Sequence, residues 1–132
     1  MAEIKSFRDL NVYQKARDEA KAIFQLTKSF PKEERYALTD QLRRSSRAVN
    51  AMIAEAWAKR RYEAAFVSKL NDALGEAMET QSWLDHALNC EYIDAPRFAV
   101  LDAEWQHVGG MLNRMMERSA EFCRSPQKLK TT

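Results

Sequence analysis

From Phe98 to Phe122 a core-type residue recurs at every third or fourth position. Phe98, Leu101, Trp105, Val108, Leu112 and Met115 keep the spacing, Ser119 interrupts it chemically but not in register, and Phe122 resumes it. Such a 3-4 alternation places side chains on one stripe of an α-helix. An apolar stripe of that length has to be covered by other protein, which makes a solitary helix untenable. Three more stretches carry the same period, joined by short connectors that bring consecutive helices back alongside each other. The expected fold is therefore all-α, an antiparallel up-down-up-down four-helix bundle forming a single domain over residues 1–132.

The first helix is expected over about residues 10–29. Tyr13, Ala16, Ala20, Ile23, Thr27 and Phe30 form its seam, and Leu10, Val12 and Phe24 widen it. Ser6 with Asp9, and Asn11 with Gln14, both fit a capping pattern at its start. Pro31 breaks this helix and suits the opening turn of a second, about 33–60, where Glu33 and Glu34 complement the positive helix end. Leu38, Leu42, Ser45, Val49, Met52, Ile53 and Ala56 should face inward. The third helix, about 63–89, would bury Phe66, Leu70, Ala73, Leu74, Ala77, Leu84 and Leu88, with Asn89 as its stop. Asp94 and Pro96 read as cap and first-turn proline of the fourth, about 95–122. Residues 124–132 are expected to fray. Gly109-Gly110, inside the fourth helix, costs about 2 kcal/mol relative to alanine and points to a kink or a close helix contact.

Composition narrows the function classes. Hydrophobic residues at 45% and charged residues at 30% match an ordinary water-soluble globular chain. The opening Met1–Ser6 has no apolar core of a secretory signal, and no stretch is apolar enough to span a membrane, so a cytoplasmic location is expected. Cys90 and Cys123 read as free thiols. No phosphate-binding glycine loop, zinc-type cysteine spacing or nucleophile elbow is present. Glu104-Trp-Gln-His107 has the Glu-x-x-His spacing of di-metal bundles, but Trp105 on the seam turns both ligands away from the core. The remaining histidine, His86, falls on another side of its helix. A non-enzymatic protein without metal or cofactor is the expectation.

Charge is distributed unevenly. Residues 32–61 carry eight basic and four acidic side chains, whereas 62–123 carry four and eleven. The outer face of the second helix reads Tyr36, Asp40, Arg43, Arg47, Ala51, Ala54, Ala58 and Arg61. Its alanines, Ala51, Ala54 and Ala58, would let another helix approach closely, and Trp83, off the seam of the third helix and so expected at the surface, suits the same subunit contact. Arg43, Arg44 and Arg47, with Lys59, Arg60 and Arg61, suit phosphate oxygens, since guanidinium forks bind them bidentately. Such binding would be phosphate-driven and weakly sequence-specific. Alternatively, Asp40 and Glu55 pair with these arginines within the helix, or the acidic helices of another copy do. The protein would then be a scaffold oligomer with no nucleic-acid role.

A series of motifs runs along the chain in order. They are Phe7-Arg-Asp9-Leu10-Asn-Val12, Phe30-Pro31-Lys-Glu-Glu34, Leu38-Thr-Asp-Gln41-Leu42-Arg43-Arg44-Ser45, Ile53-Ala54-Glu55, Phe66 with Leu70, Ala73-Leu74-Gly75 with Glu79, and Tyr92-Ile93. Together they resemble the bacterial four-helix bundle proteins encoded in intervening sequences of 23S ribosomal RNA genes. That family includes the accessory variability proteins of diversity-generating retroelements. Late in the second helix this chain has Met52-Ile53-Ala54-Glu55-Ala56 where the family usually has Asn-Ile-Ala-Glu-Gly. The resemblance implies a homopentameric ring and, in retroelement members, a basic surface that binds RNA or DNA and a reverse transcriptase.

Overall fold

A computed structural model describes residues 3–123 of the chain, so the tail expectation for 124–132 lies outside the described residues. The described part is all-α. Four long helices, α1 (Asn11–Thr27), α2 (Leu38–Ala58), α3 (Glu63–Asn89) and α4 (Ala95–Glu117), are followed by the short α5 (Ser119–Phe122). No strand occurs among the described residues. Each long helix packs on its neighbours in the chain, and α1 also packs on α4, which closes the circuit. Their stripes meet in one core where Ile23, Leu42, Val49, Ile53, Phe66, Leu70, Leu84, Trp105, Val108 and Leu112 are fully enclosed. Each such side chain contributes roughly 1.5–3 kcal/mol on leaving water.

Polar contacts pin the register of neighbouring helices. The Asn50 amide donates to the Tyr13 carbonyl at 2.9 Å, tying α2 to α1. Ser45 and Thr80 share a buried hydrogen bond of 2.8 Å between α2 and α3. Lys69 of α3 pairs with Glu55 of α2 at 3.7 Å. The Gln81 amide donates to Asp102 at 3.0 Å between α3 and α4, and Lys15 of α1 pairs with Glu104 of α4.

The helix ends correct the sequence expectation in three places. Ser6 and Asp9 do form a capping box, but it caps a single 3-10 turn over Phe7–Asp9, and α1 begins afterwards at Asn11. The second helix does not run continuously from 33. Lys32–Glu34 make a 3-10 turn, and Ala37 adopts φ −124°, ψ −105°, so α2 starts at Leu38. Phe30 and Leu38 are both buried, and the chain between them has to double back to place both in the core. Glu34 holds that bend, accepting Leu38 N–H with one carboxylate oxygen and the Tyr92 hydroxyl with the other. The fourth helix, expected to reach 122, breaks at Arg118. There Ser119 donates to Glu63 at 3.0 Å and Phe122 stacks on Phe66, turning α5 across the end of α3.

The expected start of α4 and one of the two roles expected for its glycine pair are seen, while Tyr13, Met52, Leu74 and Leu88, expected to face inward, are half-buried. Asp94 accepts Arg97 N–H at 2.8 Å, with Pro96 in the first turn of α4. Gly109 sits within the unbroken α4, and a Cβ there would lie 3.3 Å from Leu74 Cδ1, so this glycine marks a close helix contact rather than a kink. The stop after α3 is a Schellman turn, with Tyr92 N–H on Ala87 C=O and Glu91 N–H on Leu88 C=O, both at 2.9 Å. Its left-handed residue is Glu91, at φ 63°, rather than Asn89.

Candidate functional site

The outer side of the α1–α2 junction gathers three cations around one ring. Thr27 is buried on the inner edge of α1, and its hydroxyl accepts Arg43 Nε–H at 2.8 Å. That bond lays the Arg43 guanidinium over the half-buried Phe24 ring, 4.8 Å from its centre. Arg47, one helical turn on, reaches the same ring at 5.5 Å, and Lys28 reaches it from α1 at 4.8 Å. Three cations thus share one aromatic ring and cannot be more than about 10 Å apart, which is about one Debye length at roughly 0.1 M salt. Among the described residues no carboxylate pairs with any of them. The ring quadrupole offsets part of their repulsion; an anion would offset more.

Arg17 and Lys21 add cations along α1. Arg17 lies 5.7 Å over the Tyr13 ring, and Lys21 shares this flank by the helical repeat. Composition directed attention to α2 alone and missed the α1 contribution of Phe24, Lys28, Arg17 and Lys21. The spacing 17, 21, 28 was legible as one flank of a helix. Which helix that flank would face was not.

The other predicted cations disperse. Arg44 turns the opposite way, bonding Gln41 at 2.7 Å and approaching Glu79 of α3 at 3.8 Å. Glu55 is taken by Lys69 rather than by an arginine of its own helix. Lys59, Arg60 and Arg61 lie past the end of α2, about 18 Å along the axis from Arg47. Arg60 is committed to Trp57, donating to its carbonyl at 2.7 Å with its guanidinium 3.6 Å from the ring centre. Lys59 and Arg61 are exposed.

The chain's central 107 residues carry a clear signature. The family model of the 23S rRNA-intervening sequence protein matches residues 8–114. The chain belongs to that family. In this intervening-sequence protein the matched span takes in all of α1, α2 and α3 and most of α4, including every cation described above. A solved structure similar to it is a protein of unknown function from the S23 ribosomal protein family of Bacteroides thetaiotaomicron. The two are 29% identical with a TM-score of 0.72, the match covering 80% of this chain and 95% of the other. No curated protein matches the chain.

The expected subunit-contact residues are only partly on the surface. Ala51 and Ala58 are exposed and Ala54 is half-buried. Trp83, expected to stand at the surface, is half-buried against the core, because its ring tilts onto His86 at 5.7 Å beside the Glu34 bend. Its indole N–H is buried and makes no hydrogen bond, as is true of one carboxylate oxygen on each of Glu76 and Glu79 nearby on α3. Burial, reinforced by Glu79, pushes the Glu76 carboxyl above the usual carboxylate range. A groove of about 340 Å³ opens beside Trp83, lined also by Glu34, Gln41, His86 and Cys90.

The two residues of the di-metal spacing lie in different surroundings. Glu104 is engaged by Lys15, whose hydrogen bond holds the carboxyl below its ordinary range, and His107 is exposed. Among the described residues no three potential metal ligands converge. No helix of the described chain is long and apolar enough to cross a membrane.

Proposed function

We propose that this protein acts by binding rather than by catalysis, holding nucleic-acid phosphates on the outer side of the α1–α2 junction. The convergence of Lys28, Arg43 and Arg47 on Phe24, with no carboxylate among the described residues paired to any of them, carries this reading. The guanidinium planes are already oriented by Thr27 and the ring, so less side-chain entropy is lost on meeting a phosphate. Fluorescence anisotropy against RNA and DNA at several salt concentrations tests it. Binding is expected at about 50 mM salt and should weaken steeply as salt rises. Arg43→Ala, Arg47→Ala and Lys28→Ala should each lower the slope of log affinity against log salt by about one. Absence of binding at about 50 mM defeats the proposal.

The four long helices form one domain in which direction alternates up-down-up-down. Cross-helix partners support this. Tyr13 and Thr27 meet Asn50 and Arg43, Ser45 and Glu55 meet Thr80 and Lys69, and Leu74 and Gln81 meet Gly109 and Asp102. In each pair the partner number falls as the chain advances.

A second reading, self-association with or without nucleic acid, is favoured by the unbonded buried groups of Trp83 and Glu76. A copy seated there would supply acceptor and donors, and the exposed alanines would admit a close helix. Repetition around a ring, five copies by the family likeness, would multiply a weak phosphate attraction and could present it to a polymerase partner. Sedimentation velocity tests it: a concentration-independent monomer would exclude assembly, and Ala54→Arg should dissociate an oligomer built on this strip.

A further inference from the structure

We infer that the nucleic acid held by this face is single-stranded, with unpaired bases stacking on Tyr36 and Tyr62 at the two ends of α2. The inference rests on the phosphate-binding reading above and sharpens it. Large hydrophobic side chains are exposed at only five described positions, and two are aromatic: Tyr36, 84% exposed, and Tyr62, 65% exposed. Neither belongs to the core or to the side chains packed against it. Neither hydroxyl is engaged in a hydrogen bond, so the fold makes no visible demand for either ring.

Basic residues border both rings in the sequence, in stretches that also hold Glu33, Glu34 and Glu63. Tyr36 follows Arg35, whose guanidinium lies 5.4 Å from the ring centre, and precedes Arg43 and Arg47. Tyr62 directly follows Lys59-Arg60-Arg61. The 21 residues of α2 put roughly 32 Å between the two ends. Exposed aromatics interleaved with cations are how proteins grip unpaired strands, the cations tracking phosphates and the rings taking base faces. In a duplex those faces are stacked on one another and out of reach, so phosphate contacts alone would leave both tyrosines idle. The bend at Ala37 matters here as well. It takes Tyr36 out of the helix, where a continuous α2 would have laid the ring along the helix flank.

The test compares labelled oligouridine of roughly 12 nucleotides, within the site sizes usual for single-strand binders, with a duplex of equal length. The protein is the full chain at about 50 mM salt. The single strand should bind at least about tenfold more tightly. Tyr36→Ala and Tyr62→Ala should each weaken it roughly 5- to 100-fold with duplex binding unchanged, and Tyr36→Phe should retain the affinity. Far-UV circular dichroism checks that the variants fold. Equal affinities with silent tyrosine variants would overturn the inference while leaving the phosphate reading in place. Binding of neither probe would overturn both. A change in sedimentation on Tyr36→Ala, with affinity per protomer unchanged, would reassign the ring to a contact between copies.

Discussion

The buried pair Ser45 and Thr80 permits a double-substitution cycle whose outcome follows from where each hydrogen points. The Thr80 hydroxyl has one proton, donated at 2.9 Å to the Glu76 carbonyl one turn back in α3. The 2.8 Å contact between the two hydroxyls therefore has Ser45 as donor and Thr80 as acceptor. Ser45→Ala removes that donor and leaves Thr80 bonded, a loss of about 1 kcal/mol, offset by about 0.5 kcal/mol because alanine is the better helix former. Thr80→Val keeps the shape but strands the Ser45 hydroxyl where neither residue is accessible to water, which costs about 2 kcal/mol. In the double variant nothing polar is left to satisfy, and the total loss should return to about 0.5–1 kcal/mol. The two substitutions are thus coupled by about 1.5–2 kcal/mol. Urea unfolding followed by circular dichroism measures all four corners, with an unchanged denaturant slope required for the comparison. Losses that simply add, within about 0.4 kcal/mol, would show that the pair does not act as a unit and that the proton assignment is wrong.

Two further outcomes are expected. Glu91 closes the Schellman turn at φ 63°, a conformation that costs an L-residue about 1–2 kcal/mol; Glu91→Gly should gain about 0.5–1 kcal/mol after the added freedom of the unfolded chain is subtracted. A rise of a few degrees in the thermal midpoint checks it, and a fall would contradict the strain. The Tyr92 phenol, held protonated by its bond to Glu34, is pushed up from 10.0 to about 12. A raised folded-state value means its contribution is complete below about pH 10 and drains away as pH climbs toward 12. Wild type should therefore lose more stability than Tyr92→Phe between pH 9 and 11.5 in unfolding titrations.

Residues that carry both periodicity and chemical punctuation were readable in advance. The stripe on α4 and the Asp94 cap with Pro96 needed only local spacing, and they appear where spacing put them. The interruptions at Ala37 and Arg118 were not readable, because each is imposed by a distant partner. Glu34 and Tyr92 hold the first, and Glu63 with Phe66 draws the chain round at the second. The candidate site divides in the same way. Arg43 and Arg47 stood out as a basic run, but so did Arg44, and nothing along the chain separated them. Their separation depends on which neighbour each flank of α2 meets: Phe24 and Thr27 of α1 on one side, Glu79 of α3 on the other.

The amino-acid order alone determined that this chain forms helices of these approximate lengths and which stripe of each leaves water, because apolar period and helix caps act within a few residues. Only the packed structure decided that Lys28 joins Arg43 and Arg47 around one ring, that Trp83 is half-covered, and that Tyr36 stands free of α2. Those outcomes depend on the rotation of one helix against another, and that rotation is set jointly by side chains dozens of positions apart.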